Sequence, residues 1–152
     1  MKLAEALLLR SDLQKRLEQL KSRLLRNARV QQGDEPSEAP DRLIEAYEEA
    51  SAELERLIRL INRTNLSVEI APGFTLTDAL ARRDVLRLRA DTYRELARAA
   101  SVSQDRYLRS EVKFVSTVEV RAVQQRADDL SRELRELDAR VQETNWQYDL
   151  ME

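Results

Sequence analysis

"SEVKFVSTVEV" (residues 110–120) interrupts a chain that otherwise reads as helix. Val112, Phe114, Val115, Thr117, Val118 and Val120 favour extended backbone, because branching or a ring at Cβ restricts the side chain in a helix. Under strand alternation Leu108, Ser110, Val112 and Phe114 share one face, and Arg109, Glu111 and Lys113 the other. That pattern predicts a half-buried strand over 107–115. Ser116 and Glu119 have capping-box spacing, so a helix is expected to open at about 118. Extended over 107–115, the segment spans roughly 30 Å, close to the roughly 35 Å of the helix before it. It can therefore return the chain to that helix's start, which makes the last two helices parallel. If it stays local instead, its open edge needs a cover, such as another subunit.

Outward from this stretch the periodicity becomes helical. The last helix, 118–149, keeps a 3-4 seam through Val120, Val123, Ala127, Leu130, Leu134, Leu137, Val141, Thr144 and Tyr148. The helix before it, 78–100, has one row at Ala79, Leu86, Tyr93 and Ala100. Leu80, Val85, Leu88, Leu96 and Ala97 widen that row, and Thr75 and Asp78 supply capping chemistry. Leu66, Val68 and Ile70 alternate with Ser67 and Glu69 ahead of "APG", which predicts a hairpin over 66–76. A helix over 41–64 opens behind Pro40 and carries Leu43, Tyr47, Ala50, Leu54, Leu57 and Ile61. The first helix, 2–30, carries Leu13, Leu17, Leu20 and Leu24, with polar breaks at Arg10 and Asn27. Together these predict one mainly α domain over 1–152. It is a long-helix bundle or coiled coil of four helices with a small β element, the hairpin 66–76 and the strand 107–115.

Composition narrows function by exclusion. The 152 residues contain no Cys and no His, which removes thiolate chemistry, zinc–thiolate sites and the commonest general base near neutral pH. No catalytic residue, cofactor or metal site is predicted, and an enzyme is the least favoured class. The net charge of −2 supplies no global field for nucleic acid or membrane. The N-terminal apolar run is broken by Glu5 and Arg10, so it reads as amphipathic helix and not as an export signal. No stretch approaches the roughly 20 apolar residues of a membrane span. A cytoplasmic protein is expected, with no membrane association.

Two sets of residues stand out. Leu13, Leu17, Leu20 and Leu24 on the first helix, and Leu130, Leu134, Leu137 and Val141 on the last, are the predicted helix-seam contacts. The first and last helices read as longer than the middle two. A projecting seam would then need a partner, and a second copy of the chain is the simplest. On the third helix Arg82, Arg83, Arg87 and Arg89 form a basic strip able to meet phosphate, although Asp84 and Asp91 are interspersed. Carboxylates on the last helix, Asp128 to Glu143, alternate with arginines and read as an ion-paired face. Trp146 and Tyr148 are expected to pack at the end of the bundle.

"RLINRTN" (59–65), "LTDALARRDVLRLR" (76–89), "RSEVKFVSTV" (109–118) and "RELRELDARVQETNW" (132–146) resemble the septicolysin-like family of small bacterial proteins. That resemblance implies no activity or site residue, and the family's name implies a cytolysin. The reading is therefore a structural or interaction protein that self-associates through helical seams as a homo-oligomer. The alternatives are a nucleic-acid-associated protein using the Arg-rich third helix, and a cytolysin-like pore former.

Overall fold

The computed structural model describes residues 1–101 and 113–152. They form four helices, α1 (Leu3–Arg26), α2 (Pro40–Ser67), α3 (Leu76–Ala100) and α4 (Val120–Gln147). A two-stranded antiparallel sheet, β1 (Glu69–Ala71) and β2 (Phe74–Thr75), joins α2 to α3. The mainly α class with a small β element therefore holds. The chain divides into two compact units, Met1–Glu69 with Gln142–Glu152, and Ile70–Val141.

In the first unit α1 packs against α2. Leu20 and Arg23 lie near Leu43 and Ala46, while Leu9 lies near Leu57 and Leu60, so the two helices run antiparallel. Leu3, Leu13, Leu20, Leu43, Ala50, Leu57 and Ile61 are buried, and Leu17 and Leu24 are half-buried. The chain ends are tied together within this unit. Leu3 donates its N–H to the Tyr148 carbonyl at 3.0 Å, and Leu150 donates to that of Met1 at 2.8 Å.

α1 stops at Arg26, short of the expected 30. Asn27 caps it: the backbone N–H reaches the Arg23 and Leu24 carbonyls, and its Nδ2 donates to Arg23 O at 2.9 Å. Its Oδ1 accepts from the Glu38 N–H at 3.1 Å, which fastens the 28–38 loop to the helix end. The residue read as a break in a seam is the terminator. α2 runs past the expected 64 to Ser67, because Val68 N–H still bonds to Thr64 O at 2.9 Å. Leu66 is thus helical and exposed, and the hairpin starts at Glu69 instead of 66. Pro72 and Gly73 make its turn, with Gly73 at φ 70°, the sign that a type II turn requires at its third position.

The second unit opens on β2. Thr75 Oγ1 accepts from the Asp78 N–H at 3.2 Å, and Asp78 Oδ2 accepts from the Thr75 N–H at 2.9 Å, a capping box that starts α3 at Leu76. Arg83 meets Asp138 at 3.2 Å and Arg94 meets Ser131 at 3.2 Å. Positions rise along α3 as they fall along α4, so the two are antiparallel and the parallel arrangement is excluded. The expected strand is not present over 113–115, which have no regular structure; its remainder, 107–112, lies outside the described residues. Ser116 does not form the expected box with Glu119. Its hydroxyl bonds to Val118 O at 2.6 Å, and Glu119 Oε1 accepts from the Arg121 N–H at 3.2 Å, so α4 opens at Val120.

Helix lengths overturn one further expectation. They are 24, 28, 25 and 28 residues, so α1 and α4 are not a long pair projecting past two short helices. The argument for self-association from unequal length falls with it.

Candidate interaction surface

α3 carries two apolar faces. Leu76, Ala79, Leu86, Ala90 and Ala97 are buried, and Tyr93 and Ala100 are half-buried. On the opposite side Ala81, Val85, Leu88, Thr92, Leu96 and Ala99 are exposed. At 100° per residue those six fall within a stripe about 80° wide. Val85 is 53% exposed and Leu88 68%. The row read from sequence as one wide face is two: Val85, Leu88 and Leu96 point away from the core. At its C-terminal end the stripe continues into a groove of about 430 Å³, lined by Leu96, Ala99, Phe114, Val115 and Val118. Phe114 is 72% exposed there.

The four arginines expected to act together do not share a face. Arg82 lies over the Phe74 ring at 4.3 Å from its centroid, a cation–π contact. Arg83 is half-buried, tied to Asp138 at 3.2 Å, with its Nε lacking a hydrogen-bond partner. Arg87 lies 3.9 Å from Asp84. Arg89 is exposed and lines a shallow cavity with Val85 and Glu133. Arg82 and Arg89 edge the apolar stripe, while Arg83 and Arg87 sit about 100–140° round the helix from Arg82.

The expected seam residues are spent inside the chain. Leu130, Leu137 and Val141 are buried and Leu134 half-buried, as are their counterparts on α1. The α4 carboxylates are held singly: Arg132 and Gln125 reach Asp129, Gln124 reaches Asp128, and Gln147 reaches Glu143. Among the described residues no group of three or more acidic side chains could hold a metal ion. Trp146 is 55% exposed and Tyr148 44%, so neither plays the packing role expected of it.

A second cavity, of about 570 Å³, lies in the first unit between Arg16, Leu20, Arg23, Glu38, Arg42 and Leu43. Arg23 grips Glu38 through Nε, at 3.0 and 3.1 Å, and through Nη2. The Arg23 hydrogen bonds hold the Glu38 carboxyl below its ordinary range, and the Thr75 N–H and hydroxyl hold Asp78 below its own. Each carboxylate therefore binds its proton less readily folded than unfolded. The stability they contribute is full above their ordinary values, 4.5 and 3.8, and is lost as pH falls through the lowered ones. The thermal midpoint is expected to drop between about pH 5 and pH 3, and the drop to shrink in a Glu38→Gln, Asp78→Asn variant. An undiminished drop in that variant would refute the assignment.

Comparison with known proteins assigns no activity. The model of a family described as "Family of unknown function (DUF6847)" matches residues 10–150. The chain is 42% identical to a functionally unknown conserved protein from Corynebacterium diphtheriae. The two superpose with a TM-score of 0.94, over 99% of each chain. No curated protein matches. These findings overturn the septicolysin-like resemblance, and the cytolysin reading loses the name it rested on. Three of the four motifs behind it lie on α2, α3 and α4. They alternate aliphatic residues with Arg and other polar residues at helical spacing, which any amphipathic helix can present. Among the described residues no helix is long and apolar enough to cross a membrane.

Proposed function

We propose that this chain, which belongs to the DUF6847 family of unknown function, is a non-catalytic interaction protein that pairs with a second copy of itself through the outward face of α3. The observation that carries this is the exposed stripe Ala81, Val85, Leu88, Thr92, Leu96 and Ala99. Contiguous apolar surface of this kind marks an interaction site more often than scattered exposed leucines do. A face of that pattern is also what one α-helix presents to another.

Magnitudes set the expected strength. Val85, Leu88 and Leu96 are already partly covered, so pairing recovers roughly half of about 1.5–3 kcal/mol for each. Over two copies that is on the order of 5–9 kcal/mol, against an association cost of about 4–15 kcal/mol. Phe114 and Val115, exposed beside Leu96, add to the favourable side. The terms nearly cancel, so a weak, reversible pair is expected, not an obligate dimer.

Light scattering across about 1–100 µM tests the proposal. The mass is expected to rise from 17.7 kDa toward twice that value. Leu88→Glu, at a position already open to water, is expected to hold the chain at 17.7 kDa without loss of helix content. A wild-type mass that stays monomeric across the range defeats the proposal.

A further inference from the structure

We infer that two copies pair with their α3 helices parallel, Asp84 of each facing Arg89 of the other; this rests on the self-pairing proposed above. Positions 81, 85, 88, 92, 95 and 99 follow the alternating four-and-three spacing of a helix seam; Glu95 is its one charged member, with Leu96 beside it. One flank of that seam carries Arg82, Arg89 and Leu96, and the other Asp84, Asp91 and Arg98. Over residues 82–91 the surface thus has a basic edge, Arg82 and Arg89, and an acidic edge, Asp84 and Asp91, with Val85 and Leu88 between.

A parallel pair sets unlike flanks against each other, each residue meeting the partner's residue roughly five positions further along. Asp84 then meets the partner's Arg89, and twofold symmetry makes that contact twice. Asp91 meets the partner's Leu96, and the one like-charge contact is Glu95 against the partner's Glu95. An antiparallel pair sets each flank against itself. In the register that best aligns the seam, Arg89 meets the partner's Arg89 and Asp91 the partner's Asp91. Asp84 with the partner's Arg98, a contact also made twice, only offsets these two, whereas the parallel pair sets two attractions against the single Glu95 contact. Like charges held opposite each other are destabilising.

Both groups are available for the contact. Asp84 Oδ1 is 3.8 Å from Arg83 Nε and 3.9 Å from Arg87 Nη1, too far for good hydrogen bonds. Among the described residues Arg89 has no ion-pair partner. The apolar surface is also polarised along the helix. Its N-terminal end holds Asp78, Ala81 and Arg82, and its C-terminal end Leu96 and Ala99 beside Phe114 and Val115. Parallel pairing buries the two apolar ends on each other. Antiparallel pairing sets each against a charged end.

The absence of native cysteine allows a direct test in the full chain. Ala81→Cys and Ala99→Cys replace small exposed residues at the two ends of the stripe. A disulfide needs Cα atoms about 4.4–6.8 Å apart. In a parallel pair each variant alone oxidises to a covalent dimer. In an antiparallel pair like positions lie roughly 27 Å apart, so only a mixture of the two variants cross-links. As a second readout, Asp84→Arg and Arg89→Asp are each expected to weaken pairing about tenfold, and the double swap to restore it to within about threefold. Cross-linking confined to the mixture overturns the parallel arrangement and leaves self-pairing standing. A wild type that pairs while neither variant nor their mixture cross-links overturns α3 as the interface. A monomeric wild type removes the self-pairing itself.

Discussion

Replacing Leu130 with alanine is expected to destabilise the protein by about 2–5 kcal/mol, the range for deleting a buried leucine side chain. Leu130 is 0% exposed on α4. Arg94 reaches Ser131 one residue beyond it, and Arg83 reaches Asp138 two turns on. Those links hold α3 in place, so the wall cannot fully collapse into the space vacated. A cavity cost adds to the lost transfer energy. The urea midpoint is the measurement, with Leu88→Ala as the internal comparison. Leu88 is 68% exposed, and its truncation is expected to change stability by no more than about 0.5 kcal/mol. Equal losses at the two positions would contradict the burial of Leu130 on α4 and the outward placing of Leu88 on α3.

Thr64→Val is expected to cost about 1–3 kcal/mol, for a polar reason instead of a volumetric one. Thr64 is 0% exposed on α2. Its hydroxyl donates to the Leu60 carbonyl at 2.8 Å, and the same oxygen accepts the Met151 N–H at 3.0 Å. Valine fills nearly the same space but leaves that amide without its acceptor. Thr64→Ser keeps the hydroxyl and loses only a methyl, so it is expected to retain the tether. Amide exchange at Met151 distinguishes the two: faster in the valine variant, near the wild-type rate in the serine variant. Equal protection in both would show that the C-terminal segment is held by other bonds, such as Leu150 to Met1.

The existence of four helices was legible because a 3-4 spacing of apolar residues admits no other regular reading over that length. The turn at Pro72 and Gly73 and the cap at Thr75 and Asp78 were legible because each is a local device needing only its neighbours. Element ends were less so. Leu66, Val68 and Ile70 alternate as a strand would, yet α2 absorbs Leu66, since the ladder continues through Thr64 to Val68. Asn27 looked like a fault in a seam because its capping role depends on Glu38, eleven residues away.

The interaction surface was half legible. Val85, Leu88 and Leu96 were recognised as apolar positions on the third helix, but they were merged with Ala79 and Leu86 into one face. Sequence by itself determined which residues share a side of each helix, because a fixed rotation per residue sets that before any contact forms. It also determined that thiol and imidazole chemistry are absent. Only the tertiary structure decided that α4 returns antiparallel along α3, and so which of the two apolar sides is buried. Both sides satisfy the same periodicity, and the choice between them depends on where the connecting segment delivers the next helix.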